Sequence, residues 1–512
     1  MASMISPIAS KLRAAFSRKP SLPSKSSVLS NRMFAAGQYN RLVDWPVAPQ
    51  RINADLWREY TTIVLRCRDL AVNNEHVIGL LRNFTRNVIG TTGFTLQSKA
   101  ADVSIRPEIE RLWREYSART SGAVTMDERS SARDLDILIL RSLLIDGEVF
   151  IHRVYDPLSR FGWRYEVIDS MQIDPLYMVE RTANGGRIFM GIELDARGRE
   201  TAYWFRPVVC ETYYTGPRER IPAENMIHLF RREFASQFRG IPMFSGAVMN
   251  LRRLDDYKAA ELVHAQISAC CMGVWQWNGK NAEDIITDTE DQGEFVREIK
   301  PGIFPIAPRG YEAHFLQNNS PNNQFGEFCK AILRSVASCF GLSYNKASGD
   351  YESVNYSSLR EAALEDRETF TELQRFLIDN WKSLQFHDFI RSAVARGALR
   401  PRNAADISRH AFFGRRFAWI DPAKEIAAKQ KELALMLSDP ITEIEARGED
   451  PAEVISRFKQ FRDMLKSEGM DAFWDIAFGI RAAAPASPPS GGEEDEEQNQ
   501  NSSALEDADN ES

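Results

Sequence analysis

Apolar residues recur at three- and four-residue intervals in several long stretches of the chain. The clearest lies at 56–90, LWREYTTIVLRCRDLAVNNEHVIGLLRNFTRNVIG. Val77, Leu80, Leu81, Phe84 and Val88 share one face at the helical period, which predicts two helices broken at Asn73 and Asn74 and ended at Gly90. At 245–272, SGAVMNLRRLDDYKAAELVHAQISACCM, the residues Val248, Leu251, Leu254, Leu262, Ala265 and Ala269 form a stripe about 40 Å long at 1.5 Å per residue. That exceeds an ordinary globular helix. Phe325, Phe328, Ile332, Val336 and Phe340 predict a helix over 324–340 with Gly341 as its stop, and Leu373, Leu377, Trp381 and Leu384 mark one from Ser358 to about Val394. DPAKE (421–425) and DPAEV (450–454) each offer an Asp cap followed by Pro at the first helical position. Val454, Phe458, Phe461 and Leu465 make the last helix amphipathic.

Between these helices the pattern shortens. After the turn Asp146-Gly147 comes VFIHRVY, then FGWRYEVID, RIFMGIELDARGRETAYWF and ENMIHLF, apolar and aromatic runs separated by Gly, Asp, Asn and Pro. DARG (195–198) reads as a turn between paired strands. Short strands return over 273–320 around the acidic stretch IITDTEDQGEF. The fold class predicted is therefore α+β, with a mixed α/β region followed by long helices. One segment fits neither period: KASGDYESVNYSS, residues 346–358, is a polar loop carrying Gly349 and two tyrosines between two regular helices.

At 512 residues, with 43% hydrophobic and 26% charged residues, the chain has material for several soluble domains with sizeable cores. Charge is unevenly placed. Residues 1–37 carry six basic residues (Lys11, Arg13, Arg18, Lys19, Lys25, Arg32) and no acid, while 485–512 carry nine acids and no base. Removing +6 and −9 from the net charge of −7 leaves −4 for the body. A near-neutral body argues against tight binding of nucleic acid through its phosphates, which needs a strongly basic surface. The Ser-rich basic start fits either an organelle transit peptide or a disordered basic arm, and the acidic end has nothing to bury and is expected to be disordered. No apolar run reaches the roughly 18 residues of a membrane span. The six cysteines (Cys67, Cys210, Cys270, Cys271, Cys329, Cys339) form no CxxC pair, as expected of free thiols in a reducing compartment.

Motifs for chemistry are absent. The seven histidines are scattered with no i, i+3 or i, i+4 pair, so no metal site is expected. GVWQWNGKN (273–281) imitates a phosphate-binding loop. Five residues separate its glycines where four are needed, and Asn281 stands where a hydroxyl would hold Mg²⁺. GLSYN (341–345) lacks the second Gly of a nucleophile elbow. TDTED lacks the spacing and glycine of a calcium loop. No catalytic residue and no cofactor is expected.

The order of segments resembles the lambda family of bacteriophage portal proteins. The resemblance is carried by LRCRDLAVNNEHVIGLLRNFTRNVIGTTG (65–93), DGEVFIHRVYD (146–156), QIDP (172–175), GIELDARGRETAYWF (191–205), RGIPMFSGAVMNLRRLDDYKAAELVHAQISA (239–269), GLSYNKASGDYESVNYSSLREAALEDRETF (341–370), WIDPAKE (419–425) and RGEDPAEV (447–454). It covers roughly residues 40–470.

The resemblance implies a ring, typically of twelve subunits, at one capsid vertex. By element order it implies a basic arm (1–37), a wing (38–244), a stem helix (245–272), a clip (273–320), a second stem helix (321–342), a channel loop (343–357), a long wing helix and following segment (358–420), a crown (421–480) and an acidic tail (481–512). It implies procapsid nucleation, docking of the terminase motor, passage of double-stranded DNA in packaging and ejection, and attachment of head-completion and connector proteins. Contacts with major capsid and scaffold proteins would follow, with no membrane. The location would be the virion, with assembly in the host cytoplasm. Lys346, Ser348, Gly349, Asp350, Tyr351, Glu352, Asn355 and Tyr356 are the candidate channel-loop residues. Arg252, Arg253, Asp255, Asp256, Lys258 and Glu261 are candidates for exchange between neighbouring stems. Under this resemblance the basic arm is expected to be an assembly or DNA-facing segment. The alternatives are a packaging ATPase or nuclease subunit, and a mitochondrial protein with a cleaved presequence.

Overall fold

The computed structural model describes residues 51–208, 216–270, 273–277, 311–315, 324–352, 354–400, 406–417, 422–446 and 451–470. The basic arm, the acidic tail and most of the expected clip lie outside the described residues.

The first helical stretch divides where the sequence predicts. Helix α1 (Ile52–Asn73) stops as Asn74 turns extended, and α2 (Glu75–Phe84) starts with the Asn74 side-chain oxygen accepting the Val77 amide at 3.0 Å. A π turn, Thr85–Ile89, continues α2 until Gly90 ends it at φ 73°. After strand β1 (Thr95–Ser98) come α3 (Arg106–Ser117) and α4 (Ala132–Ile145), the latter opened by a reciprocal capping box between Ser131 and Asp134.

Strand β2 (Glu148–Tyr155) is the centre of a three-stranded antiparallel sheet, between β3 (Trp163–Ile168) and β8 (Met226–Phe230). The apolar run Val149-Phe150-Ile151 reflects burial on both faces of its first half, because alternate side chains point to opposite sides. Val149 and Ile151 join the main core with residues of α1 to α4, whereas Phe150 joins Ile168, Ile192, Leu194, Tyr203 and Met226 in a second core. The second core is closed by a four-stranded antiparallel meander of β4 (Arg187–Phe189), β5 (Ile192–Leu194), β6 (Glu200–Phe205) and β7 (Glu219–Pro222). DARG is the turn between β5 and β6, with Gly198 at φ 82°. Among the described residues the strands of each sheet pair antiparallel, an α+β arrangement.

Helix α5 runs from Val248 to Cys270, 23 residues and shorter than the 245–272 stripe suggests, because a 3₁₀ turn occupies Ser245–Ala247. Strand β9 (Gly273–Trp277) pairs antiparallel with β10 (Tyr311–Phe315), and α6 (Phe325–Cys339) follows. A short helix α7 (Tyr344–Ser348) precedes α8 (Tyr356–Leu377), which passes through a π turn (Ile378–Lys382) into α9 (Ser383–Ala395). The π turn brings both Trp381 and Lys382 inward onto the buried Asp136 of α4: Trp381 Nε1 donates at 2.7 Å and Lys382 Nζ lies 3.2 Å away. Strand β11 (His410–Phe413) pairs with β1. The chain ends, as described, in α10 (Pro422–Ala434), α11 (Pro440–Ala446) and α12 (Pro451–Ser467), each with Pro at its first position. Of the predicted apolar stripe on α12, Leu465 is buried while Phe458 and Phe461 are exposed. No helix among the described residues is long and apolar enough to cross a membrane. Cys67, Cys329 and Cys339 are free thiols, and burial pushes the Cys67 thiol up to about 12.

Candidate functional site

Helix α5 leaves the body in two unlike halves. Val248 and Leu251 are buried in the main core with Phe244, Val336 and Phe340, and Leu254 is buried as well. One turn on, the Tyr257 ring packs against Phe325 and Phe328 of α6 at 5.5 and 5.0 Å, so the two helices run antiparallel. Beyond that point cover ends: Leu262 is 61% and Val263 52% exposed. The predicted apolar stripe is thus a core stripe for its first two turns and an open one after them.

The six charged candidates on α5 divide in the same way. Both carboxylate oxygens of Asp255 lie in hydrogen-bond range of the Asn74 Nδ2 donor, at 3.0 and 2.9 Å, so one asparagine caps α2 with its oxygen and holds α5 with its nitrogen. Lys258 donates to Glu75 at 2.7 Å and lies 2.8 Å from His76 Nε2. That bond lowers the Glu75 carboxyl, and burial together with Lys258 lowers the His76 imidazole, which accepts as the neutral ring. Asp255 and Lys258 therefore tie α5 to its own chain. Arg252 and Asp256 are exposed and pair with one another at 3.2 Å, Arg253 is exposed, and Glu261 is half-buried.

The loop after α6 is more structured than its composition suggests. Gly341 at φ 63° stops α6, and Ser343 then caps α7, its hydroxyl accepting the Lys346 amide. The buried Asp366 of α8 accepts both the Ser343 amide at 2.7 Å and its hydroxyl at 2.8 Å. Asn83 of α2 donates to the Lys346 carbonyl, and Ser348 Oγ donates to the Tyr344 carbonyl. Gly349, which in the sequence reads as a source of flexibility, instead closes α7 in the left-handed conformation at φ 74°, a helix-ending role a side chain would disfavour. Asp350 then accepts from the Glu352 amide and the Tyr344 hydroxyl, bonds that hold its carboxyl below the usual range. What projects is short: Tyr351 and Tyr356 are 55% and 57% exposed, and Glu352 and Asn355 are exposed beside them.

A buried ionic cluster beneath these elements is invisible to motif reading. Glu148, at the start of β2, accepts from Tyr60 and from Arg239 Nε (2.7 Å) on one oxygen, and from the Gly240 amide (2.8 Å) and His228 Nε2 (2.9 Å) on the other. Arg239 also donates to Tyr60 and to the carbonyls of Ser170, Met190 and Ile173, and sits over the Tyr60 ring at 4.5 Å. Burial alone would raise the Glu148 carboxyl, but Arg239 and His228 bring it down to about 2. Burial would lower His228, yet Glu148 and Glu200 keep it above the ordinary imidazole value. The charges balance, two carboxylates against two cations, and the cluster joins α1, β2, β6, β8 and the 239–240 segment. The signal available beforehand was a Glu directly after Asp-Gly and before the apolar run Val149-Phe150-Ile151, matched by a distant Arg-Gly pair.

Among the described residues no three His, Cys, Asp or Glu side chains come together to hold a metal. Of GVWQWNGKN, the first five residues form β9 and the rest lie outside the described residues.

The fold is thus an α+β body bearing an antiparallel helix pair, a short capped loop and a helix stripe left open. The lambda-family description of phage portal proteins matches residues 38–374, and the chain belongs to that family. It is 27% identical over 469 residues to a probable portal protein of Halomonas phage phiHAP-1, covering 88% of this chain and 90% of that one. Portal protein B of Escherichia phage lambda is 21% identical over 488 residues, covering 84% and 88%. Among solved structures, a chain of the virion of a native gene transfer agent particle aligns with TM-score 0.45 and 13% identity over 80% of this chain and 96% of its own length. A chain in the neck of a native particle of this kind, computed with C12 symmetry, aligns at TM-score 0.39 with 14% identity, covering 74% and 94%.

Proposed function

We propose that this portal-family chain closes into a ring of twelve at one capsid vertex. There it nucleates the procapsid, docks the terminase, passes double-stranded DNA during packaging and ejection, and holds the head-to-tail connector. In this reading α5 and α6 are the stem, β9 and β10 belong to the clip, residues up to 244 with α8 and α9 are the wing, and α10 to α12 belong to the crown. One observation carries it. An α5 anchored at its base by Leu251, Leu254 and Asn74, with Leu262 and Val263 uncovered further out, offers a neighbour both an apolar stripe and the Arg252, Arg253 and Asp256 charges. Repeated head-to-tail, such a contact closes a ring. The exposed Tyr351, Glu352, Asn355 and Tyr356 form the tip that meets DNA, offering aromatic and amide surfaces with few charges, so that contact is sequence-blind and readily released. The packaging ATPase or nuclease reading has no site among the described residues to support it.

Negative-stain microscopy of the purified protein tests the ring. Wild type is expected as rings of about twelve with a central hole, and Leu262→Asp/Val263→Asp as folded single subunits. A monodisperse wild-type monomer across salt and concentration, or unimpaired rings from the double variant, refutes the reading. For the loop, deletion of 351–355 leaves the Ser343–Gly349 cap intact. It is expected to spare assembly and impair packaging or retention of DNA.

A further inference from the structure

Asp136 of α4 and Lys382 of the π turn after α8 meet within the body, 246 positions apart in the chain and only 1% and 2% exposed. Lys382 Nζ lies 3.3 Å from Oδ1 and 3.2 Å from Oδ2 of Asp136. Near-equal distances put the nitrogen in the plane that bisects the carboxyl group and contains its carbon. The Trp381 indole donates to Oδ1 at 2.7 Å, and Gln385 Oε1 of α9 accepts from Lys382 Nζ at 2.7 Å. The rings of Trp113 and Phe412 stand 5.4 and 5.9 Å from Nζ and shield it from bulk water.

A buried ion pair gives up hydration at both ends and recovers it only in part. Burial accordingly raises the Asp136 carboxyl and lowers the Lys382 amine, each toward its uncharged form and against the attraction between them. Transfer of one proton from the ammonium to the carboxylate turns the pair into a neutral amine beside a carboxylic acid. Those are the nucleophile and the electrophile of amide formation.

We propose that Lys382 Nζ and Asp136 Cγ become joined by an isopeptide bond inside the folded chain. The neutral nitrogen adds to Cγ while the Trp381 indole holds Oδ1, the oxygen on which negative charge develops. Gln385 keeps one Nζ hydrogen, and the other passes to the Oδ2 hydroxyl, whose bond to carbon breaks as water leaves. One C–N bond forms and one C–O bond breaks, with no oxidation and no product besides water. Asp136 and Lys382 both line a cleft of about 570 Å³ beside α3 and β1, which gives that water its way out. The surroundings also suit the product. Its carbonyl oxygen keeps the indole donor and its N–H keeps Gln385 Oε1, so both polar atoms of the new amide have partners before it forms. The bond would tie α4 to the junction of α8 and α9 covalently, and it is independent of ring formation and of the role of the loop.

Mass spectrometry of the denatured full-length protein tests it. The intact mass is expected to fall short of the sequence mass by one water, about 18 Da. Trypsin cuts after Lys and Arg, so an unlinked chain yields Asp134–Arg141 and Phe376–Lys382 as separate peptides. The linked chain instead yields Asp134–Arg141 joined to Phe376–Arg391, because an acylated Lys382 is no longer cut. Lys382→Arg keeps a cation at the site but cannot form the amide, and it should show its full mass; if that variant does not fold, the wild-type peptide map decides alone. Recovery of both separate peptides in full yield from wild type would overturn the proposal, and so would a lost water confined to any other peptide.

Discussion

Arg239→Met removes the centre of the buried cluster. The arginine is fully buried and donates to Glu148 at 2.7 Å, Tyr60 at 2.9 Å, Ser170 O at 3.0 Å, Met190 O at 2.7 Å and Ile173 O at 3.3 Å. Methionine fills part of the volume but supplies none of these bonds. Glu148, itself without solvent exposure, would keep only His228, Tyr60 and the Gly240 amide, and three carbonyls would lose their donor. Removing one partner of a buried ion pair costs about 3–5 kcal/mol. For 512 residues unfolding as one unit, at about 2.1 cal/mol/K per residue, that is a fall of about 3–5 °C in Tm. Urea unfolding followed by tryptophan fluorescence measures it directly. Glu148→Gln should cost a comparable amount by stranding the arginine, and the double variant Glu148→Gln/Arg239→Met should cost less than the sum by at least about 1.5 kcal/mol, because neither charge is then left alone. Additivity of the two single changes to within about 0.5 kcal/mol would show that they do not act as a unit, and the reasoning would fail.

Four further outcomes are expected. A Cβ on Gly147, held at φ 83°, would meet the Ile241 carbonyl carbon at 2.2 Å and Pro242 N at 2.5 Å, so Gly147→Ala should cost about 2–5 kcal/mol in unfolding experiments. Gly198→Ala, at φ 82° with open space around it, should cost only the backbone term of about 1–2 kcal/mol. Glu148 is lowered from 4.5 to about 2, so its contribution is present above pH 4.5 and lost as pH falls through 2; His228 is raised from 6.5, so its contribution is present below pH 6.5 and lost as pH rises through its folded value. The stability difference between wild type and His228→Asn should accordingly be greatest between pH 4.5 and 6.5, and a difference that grows above pH 8 would contradict it. Asp366→Ala should free the Ser343 cap and speed proteolysis near Gly349 severalfold, while shifting global stability by only about 1–2 kcal/mol.

Legibility of the fold tracks how local its causes are. The break at Asn73-Asn74, the Asp146-Gly147 turn, the DARG hairpin and the Gly341 stop all depend on near neighbours, and each stands where the pattern puts it. What escapes has a distant cause. Trp381 and Lys382 both face inward only because a π turn shifts the helical phase, and nothing in a 3.6-residue pattern announces that turn. Helix α7 is five residues long, too short to show a period, so the polar composition of the segment reads as loop. On α5 the apolar stripe is uniform in sequence, yet Leu254 is buried and Leu262 open, since a pattern records that a face is apolar and not which chain covers it. The charges of α5 show the same limit: Asp255 and Lys258 find partners on α2, about 180 residues away, and spacing along one helix carries no trace of them.

The elements proposed to meet other molecules share one mechanical design. Helix α5 is gripped at its base by the main core and by Asn74, which also caps α2, and is uncovered further out. The loop is gripped at its base by Asp366 and Asn83 and is exposed only at its tip. In each case the grip is coupled to a helix cap: Asn74 itself caps α2, and Asp366 accepts from the Ser343 hydroxyl that caps α7, so the base cannot shift without disturbing a cap as well. A stripe presented from a fixed base meets its neighbour without first being ordered, and association then avoids the entropy of immobilising a loose segment. The same fixed base limits how far Tyr351 and Tyr356 can move, because only the residues after Gly349 lie outside the cap. If the tip passes DNA, its motion is that of about five residues hinged at Asp350 and Asn355 rather than of the whole 343–357 segment, and changes at Asp366 should therefore alter transport more than changes at Glu352.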